Sequence, residues 1–134
     1  MTIKLSKFDN NFLGTIEDCK KIHLNPKEGT HYTIINEDKK VGIIGFVKKA
    51  GGHFLKIGIH QNFRGKGIFE KALKLMIKEN KLKKIQSTIS ESNIISIKAH
   101  KKLGFKKISK KREDFLREKG FLLKRNIRME KGFN

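Results

Sequence analysis

The chain has 134 residues, 37% of them apolar, which suffices for one hydrophobic core and leaves little for a second. Thirty-two Lys and Arg against 13 Asp and Glu give a formal charge of +19, which argues against polycationic partners and attracts anions such as a phosphorylated cofactor, an acidic substrate, nucleic acid or an anionic lipid surface. No apolar run approaches the roughly 18 residues of a membrane span, Met1-Thr2-Ile3-Lys4 lacks the apolar stretch of a signal peptide, and a lone Cys19 forms no disulfide framework, so the expectation is a cytoplasmic protein with no membrane partner.

Residues 3–5 alternate with polar neighbours as a short strand does. Apolar residues at 12, 13, 16, 19, 22 and 24 fall near a helical repeat, which predicts a helix over 12–24 closed by Asn25-Pro26. Residues 31–36 and 41–47 read as a hairpin turning at Glu37-Asp38, and Ala50-Gly51-Gly52 turns the chain into a fourth strand over 53–59. The spacing at 68, 69, 72, 73, 75, 76 and 77 predicts a helix with one broad buried face, leaving Glu70, Lys71, Lys74 and Lys78 outside.

A short strand follows over 85–89. Ser92 or Asn93 caps a second helix running to Lys102, and Gly104 stops it in a left-handed conformation that returns Phe105 to the core. Residues 105–109 and 120–129 look like two more strands; the charged residues 110–119 between them either extend the strands or form a loop. The order β-α-β-β-β-α-β-α-β-β describes a mixed sheet with helices packed on it.

Between the fourth strand and the first long helix lies Arg64-Gly65-Lys66-Gly67-Ile68-Phe69. Backbone N–H groups at a helix start have no intrahelical partner, the helix dipole favours an anion, and glycine lets the main chain approach closely, so the turn reads as a phosphate cradle or as a plain connector. The third glycine of a dinucleotide fingerprint and the Lys-Ser/Thr ending of a P-loop are both missing. Five scattered histidines without ligand spacing predict no metal. From residue 68 onward there are 20 basic and 7 acidic residues, so +13 of the charge lies in the second half. The excess is nearly all Lys in a chain also rich in Ile and Asn, which biased base composition would equally produce.

Two blocks carry a family resemblance. Ile57-Gly58-Ile59-His60-Gln61-Asn62-Phe63-Arg64-Gly65-Lys66-Gly67-Ile68 and Asn93-Ile94-Ile95-Ser96-Ile97-Lys98-Ala99-His100-Lys101-Lys102-Leu103-Gly104-Phe105 stand about 25 residues apart with a strand between them. Together they resemble the GCN5-related N-acetyltransferase (GNAT) family over roughly residues 40–130. The resemblance implies one domain over 1–134 with a GNAT-like α+β (mixed α/β) fold: a mostly antiparallel sheet of six or seven strands flanked by three or four helices. It implies acetyl-CoA as acyl donor and direct transfer to a primary amine. Backbone groups of Ile57 and Ile59, with Gly58 between them, would meet the pantetheine arm where the sheet splays. Amides of Arg64, Gly65, Lys66, Gly67, Ile68 and Phe69 would wrap the pyrophosphate, and Asn93 and Ser96 would approach the cofactor from the second helix. Asn93 reads equally as a helix cap and Lys66 as a solvated loop charge.

Two positions depart from the family pattern. Phe69 stands where the family has Gly or Ala, so it either turns into the core or crowds the phosphates. His100 stands where the family often has the Tyr that protonates the leaving thiolate, and is read as that acid or as an ordinary helix histidine. An alkyl ammonium with pKa near 10 is about one part in a thousand neutral at pH 7, so a base or a desolvating pocket must supply about 4 kcal/mol. The fourth strand holds no acid; His53 is the first candidate base and Glu91 the second. The charge favours an anionic acceptor such as an amino acid, nucleotide sugar or aminoacyl-nucleotide. The short segment before residue 30 suggests an acceptor cleft that is either open or completed by a second subunit, the second alternative implying a homodimer. Two other functions stay open: a basic nucleic-acid- or ribosome-binding module, which the scarcity of exposed aromatics disfavours, and a non-catalytic acyl-CoA-binding regulator.

Overall fold

The computed structural model describes residues 1–134, and its seven strands form one sheet in the order β1-β2-β3-β4-β5-β7-β6. The strands are β1 (Ile3–Lys7), β2 (Thr30–Asn36), β3 (Lys39–Lys49), β4 (Gly52–Ile59), β5 (Lys84–Ser90), β6 (Lys106–Lys107) and β7 (Asn126–Gly132). Four helices join them: α1 (Asn10–Leu13), α2 (Ile68–Asn80), α3 (Ile94–Lys102) and α4 (Lys110–Glu118). Every neighbouring strand pair is antiparallel except β4 with β5, as the expected mixed sheet requires.

Local chemistry explains the meander. Glu37 and Asp38 both adopt positive φ, 49° and 67°, in a two-residue turn whose twist matches the strands it joins. Residues 41–47 of β3 are buried on both faces, so they read as a nearly continuous apolar run. On one face Ile34, Ile44, Phe46, Leu55, Ile85 and Met129 meet Ile68, Ala72, Leu73, Met76 and Ile77 of α2 in a single cluster. Each large side chain in it contributes roughly 1.5–3 kcal/mol by leaving water. The other face of β4 is covered near its end by Ile16 and Ile22. Gly58 makes room for them, since a Cβ there would stand 2.4 Å from Ile22 Cδ1.

Two expectations need correction. Residues 12–24 do not form one helix: α1 ends at Leu13, a 3-10 turn occupies Cys19–Ile22, and Asp18 and His23 take left-handed φ of 62° and 52°. The apolar spacing there serves separate short turns that lay Ile16 and Ile22 over Gly58. Residues 110–119 are neither strand nor loop but mostly α4, capped by Ser109 Oγ accepting from Arg112 N at 3.2 Å. Pairs at i,i+4, Lys110 with Asp114 and Glu113 with Arg117, support it. Accordingly β6 has only two residues and β7 begins at Asn126 rather than near Gly120.

Candidate active site

β4 and β5 touch at one pair only, Phe54 with Gln86, and diverge beyond it. Gln86 pins the narrow end by donating from Nε2 to the Gly51 carbonyl at 2.7 Å. Beyond it, β4 has an unpaired edge. His60 N donates to Val41 O at 2.8 Å, and the antiparallel alternation carried back along β4 turns the N–H and C=O of Ile57 and the N–H of Ile59 away from β3, into the gap, while Ile59 O accepts from Arg64 Nε. An extended ligand could bond there as a strand does.

At the wide end of the gap the chain enters the Gly-rich turn. Gly65 and Gly67 both have φ of 76°, and a Cβ on either would meet nothing within 4 Å, so this backbone is strained for other residues and open to solvent. Gly67 caps α2 with no side-chain hydrogen bond, leaving the first N–H groups of a 13-residue helix facing out. Lys66 is exposed there. Arg64 is more constrained: its Nε donates to Ile59 O at 2.9 Å and Nη2 to Glu17 O at 3.1 Å, tying the end of β4 to the loop after α1. Across the gap, Asn93 caps α3 through Oδ1, which accepts from Ser96 N at 3.2 Å, and its amide NH2 remains exposed. The structure therefore brings Ile57, Ile59, the Gly65–Gly67 turn, Asn93 and Ser96 around one opening.

Phe69 turns inward. Its ring meets the His100 ring edge-on at 5.3 Å and packs on the core, so it does not crowd the turn. His100 is 2% exposed and also meets Phe105 at 4.9 Å. Its Nδ1 lies 2.7 Å from Ser96 O, which can only accept, so Nδ1 carries the hydrogen; Nε2 then accepts from Ser87 Oγ at 2.9 Å. Burial pushes the imidazole pKa below its ordinary value, with the Ser96 carbonyl opposing more weakly, so the ring is neutral at pH 7. Both nitrogens are engaged, and neither offers a proton to the gap.

The two candidate bases are not brought together. His53 lies on the α2 face at the closed end, edge-on to Phe46 at 5.5 Å, in a shallow depression with Gly51, Gly52, Asn80 and Lys84. Glu91 follows β5 at the wide end, exposed, with its N–H held by Arg125 O at 2.8 Å.

Sequence reasoning missed the residues on the opposite face. Phe54 and Lys56 of β4, Thr88 of β5 and Arg128 of β7 share it, because Phe54 registers with Gln86 and Thr88 with Arg128. Arg128 is 7% exposed, and burial is the main cause pulling its pKa down, with Arg112 adding to it. Lys56 is half-buried, and desolvation, then the charge of Lys49, lowers its pKa against a weaker pull from Glu28. The available signal was a lone Arg between Ile127 and Met129 in an alternating strand.

A family model for the acetyltransferase (GNAT) domain matches residues 8–106, most of the chain. The chain belongs to the GNAT acetyltransferase family. Solved GNAT structures share its fold. A Bacillus subtilis acetyltransferase in complex with CoA is 18% identical, with a TM-score of 0.68 over 98% of each chain. The Campylobacter jejuni N-acetyltransferase PseH, in complex with acetyl coenzyme A, is 14% identical, with a TM-score of 0.69 over 99% of this chain and 100% of that one. The GNAT domain of an S. lividans protein, PAT, is 11% identical, with a TM-score of 0.71 over 98% of this chain and 89% of that one. No curated protein sequence gives a significant match.

Proposed function

We propose that residues 1–134 act as one acetyl-CoA-dependent N-acetyltransferase domain that moves an acetyl group directly to the primary amine of a small anionic acceptor. The observation that carries this reading is the gap itself: two strands joined at one pair, a free β4 edge inside, and an open glycine cradle at the mouth. The main chain of Ile57 and the N–H of Ile59 would bond the pantetheine arm, and the Gly65–Gly67 amides with Lys66 would hold the pyrophosphate. Arg64 holds the frame through two of its five donors, and those that remain add charge at the mouth. Asn93 serves as cap and contact at once, since only its Oδ1 is used.

In the transfer the acceptor nitrogen bonds to the acetyl carbon and the C–S bond breaks with its electron pair on sulfur. An ammonium acceptor gives up two protons, one reaching the thiolate and one the solvent. Lys56 and Arg128 beside the gap lower the pKa of an approaching ammonium, which favours the neutral nucleophile without a dedicated base on β4. Glu91, exposed just after β5, is the carboxylate that would take a proton. His100 positions Ser87 and Phe69 instead of acting as the acid, because its proton is committed to Ser96 O. His53, on the far face at the closed end, takes no part.

Calorimetry with acetyl-CoA at moderate salt, with dephospho-CoA and ATP as controls, tests the reading. The expected result is saturable binding near one per chain, much weaker for ATP, followed by CoA thiol release when amines are added. Equal binding of every polyanion would overturn it in favour of a basic surface. Binding without thiol release for any amine would leave a non-catalytic acyl-CoA-binding regulator.

A further inference from the structure

Arg128 is a buried guanidinium with no acid. It spans from β7 over β5 to β4: Nε donates to Thr88 Oγ1 at 2.9 Å, Nη2 donates to Phe121 O at 3.3 Å, and the guanidinium carbon stands 4.9 Å from the Phe54 ring centroid. No carboxylate comes within ion-pair range, whereas Arg112 and Arg117 each pair with a glutamate. A buried charge without a counter-ion is expensive to keep, and a neutral side chain of similar size would fill the space more favourably. Of the five N–H donors of a guanidinium, one on Nε and one on Nη2 are used, which leaves three for a ligand.

A second observation points to the same place. Lys56 stands on this face two residues beyond Phe54, half-buried and also without an ion-pair partner. The parallel register sets it level with Thr88, where β4 and β5 have begun to separate. The opposite face is shut by Phe69, His100 and Phe105, so an acceptor reaches the inner gap past these two cations.

We infer that Arg128, with Lys56 and the Thr88 hydroxyl, forms a carboxylate-binding subsite that selects amines carrying a carboxylate, amino acids in the broad sense, as acceptors. The inference rests on the acetyltransferase reading. A carboxylate takes parallel N–H donors from a guanidinium in bidentate fashion, and the aromatic face of Phe54 holds the guanidinium plane in position to offer them. Anchored by the carboxylate, the amine of such an acceptor is free to extend into the gap.

The test uses the full chain, acetyl-CoA, and a panel of α- and ω-amino acids each paired with its own amide, read by CoA thiol release. At least one acid should exceed its amide by about 100-fold in kcat/KM, with the difference mainly in KM. Arg128→Gln should shrink that ratio to a few-fold, and Arg128→Lys should retain part of it. Equal use of acids and amides, or a ratio that survives Arg128→Gln, overturns the inference while leaving acetyl transfer intact. A second arm needs no turnover: the thermal midpoint is measured in succinate and in chloride at matched ionic strength. Stabilisation by succinate in the wild type that is lost in Arg128→Gln, or in Lys56→Gln should the first variant not fold, supports the subsite. Equal stabilisation in wild type and variant overturns it. Failure of acetyl-CoA to bind in calorimetry is a separate result that sinks the acetyltransferase reading, and the succinate arm is then read alone.

Discussion

His100 and Arg128 stand on opposite sides of the β4–β5 gap and are almost equally buried, 2% and 7% exposed, yet they solve burial differently. His100 is neutral, with Ser96 O and Ser87 Oγ meeting its two nitrogens and two aromatic rings around it. Arg128 keeps a full charge, donors to spare and no acid beside it. A satisfied polar group in a closed wall belongs to the structure; an unsatisfied charge in an open wall is held for something that arrives. Burial alone does not separate the two roles, but the inventory of partners does.

Substitutions can break this comparison, beginning with the closed wall. His100→Ala leaves a cavity and orphans two polar partners, and should cost about 3 kcal/mol in denaturant unfolding. A loss under about 0.5 kcal/mol would mean that the wall is not packed as described. At the mouth, Gly67→Asp puts a carboxylate in the cradle, and Asp, which visits positive φ more readily than bulkier residues and does so at Asp18 and Asp38, adds only modest strain there. The protein should fold and lose acetyl-CoA affinity by about 100-fold in calorimetry, equivalent to about 2.7 kcal/mol. Ser87→Ala deletes only the Nε2 partner of His100 and should cost about 1 kcal/mol in the same unfolding experiment.

The pH dependence is expected to be the gentlest of these effects near neutrality. Because the folded pKa of His100 lies below the unfolded value of 6.5, the unfolded chain binds the proton first. Its contribution is complete above pH 6.5 and is lost as the pH falls through the folded pKa. A chemical-denaturation series from pH 8 to 5 should show stability falling with acid, and His100→Gln should flatten that part of the slope.

Much of the fold was legible because local signals and burial agreed. The alternation in β2 to β4, the Glu37-Asp38 turn, the Asn93 cap and the left-handed Gly104 all appear where expected. The segment over 12–24 misled because apolar spacing reports which residues are covered, not whether one helix covers them. Helix α4 was hidden for the opposite reason: its period is written in charges and a Ser cap, and its mean composition is polar. The glycine turn was readable from its residues, whereas the free β4 edge was expected only through the family resemblance. His100 was readable as a position, but its proton was not, since Ser87 and Ser96 reach it through tertiary packing. Arg128 escaped because its meaning lies in an acid that is missing from its surroundings, and a sequence with 13 acids does not say where they are absent.

With Phe54 and Gln86 as the only rung between them, the β1–β4 and β5–β7 ladders share one hinge pin. A cofactor seated in the gap as proposed would be cargo and rivet together. Its binding adds to folding stability as a logarithm of ligand excess, about 2.7 kcal/mol at a hundredfold excess over Kd, and should slow amide exchange in both ladders at once. Departure of that occupant would loosen the same seam, so under the proposed reaction the rigidity of the sheet would be renewed and surrendered in every cycle.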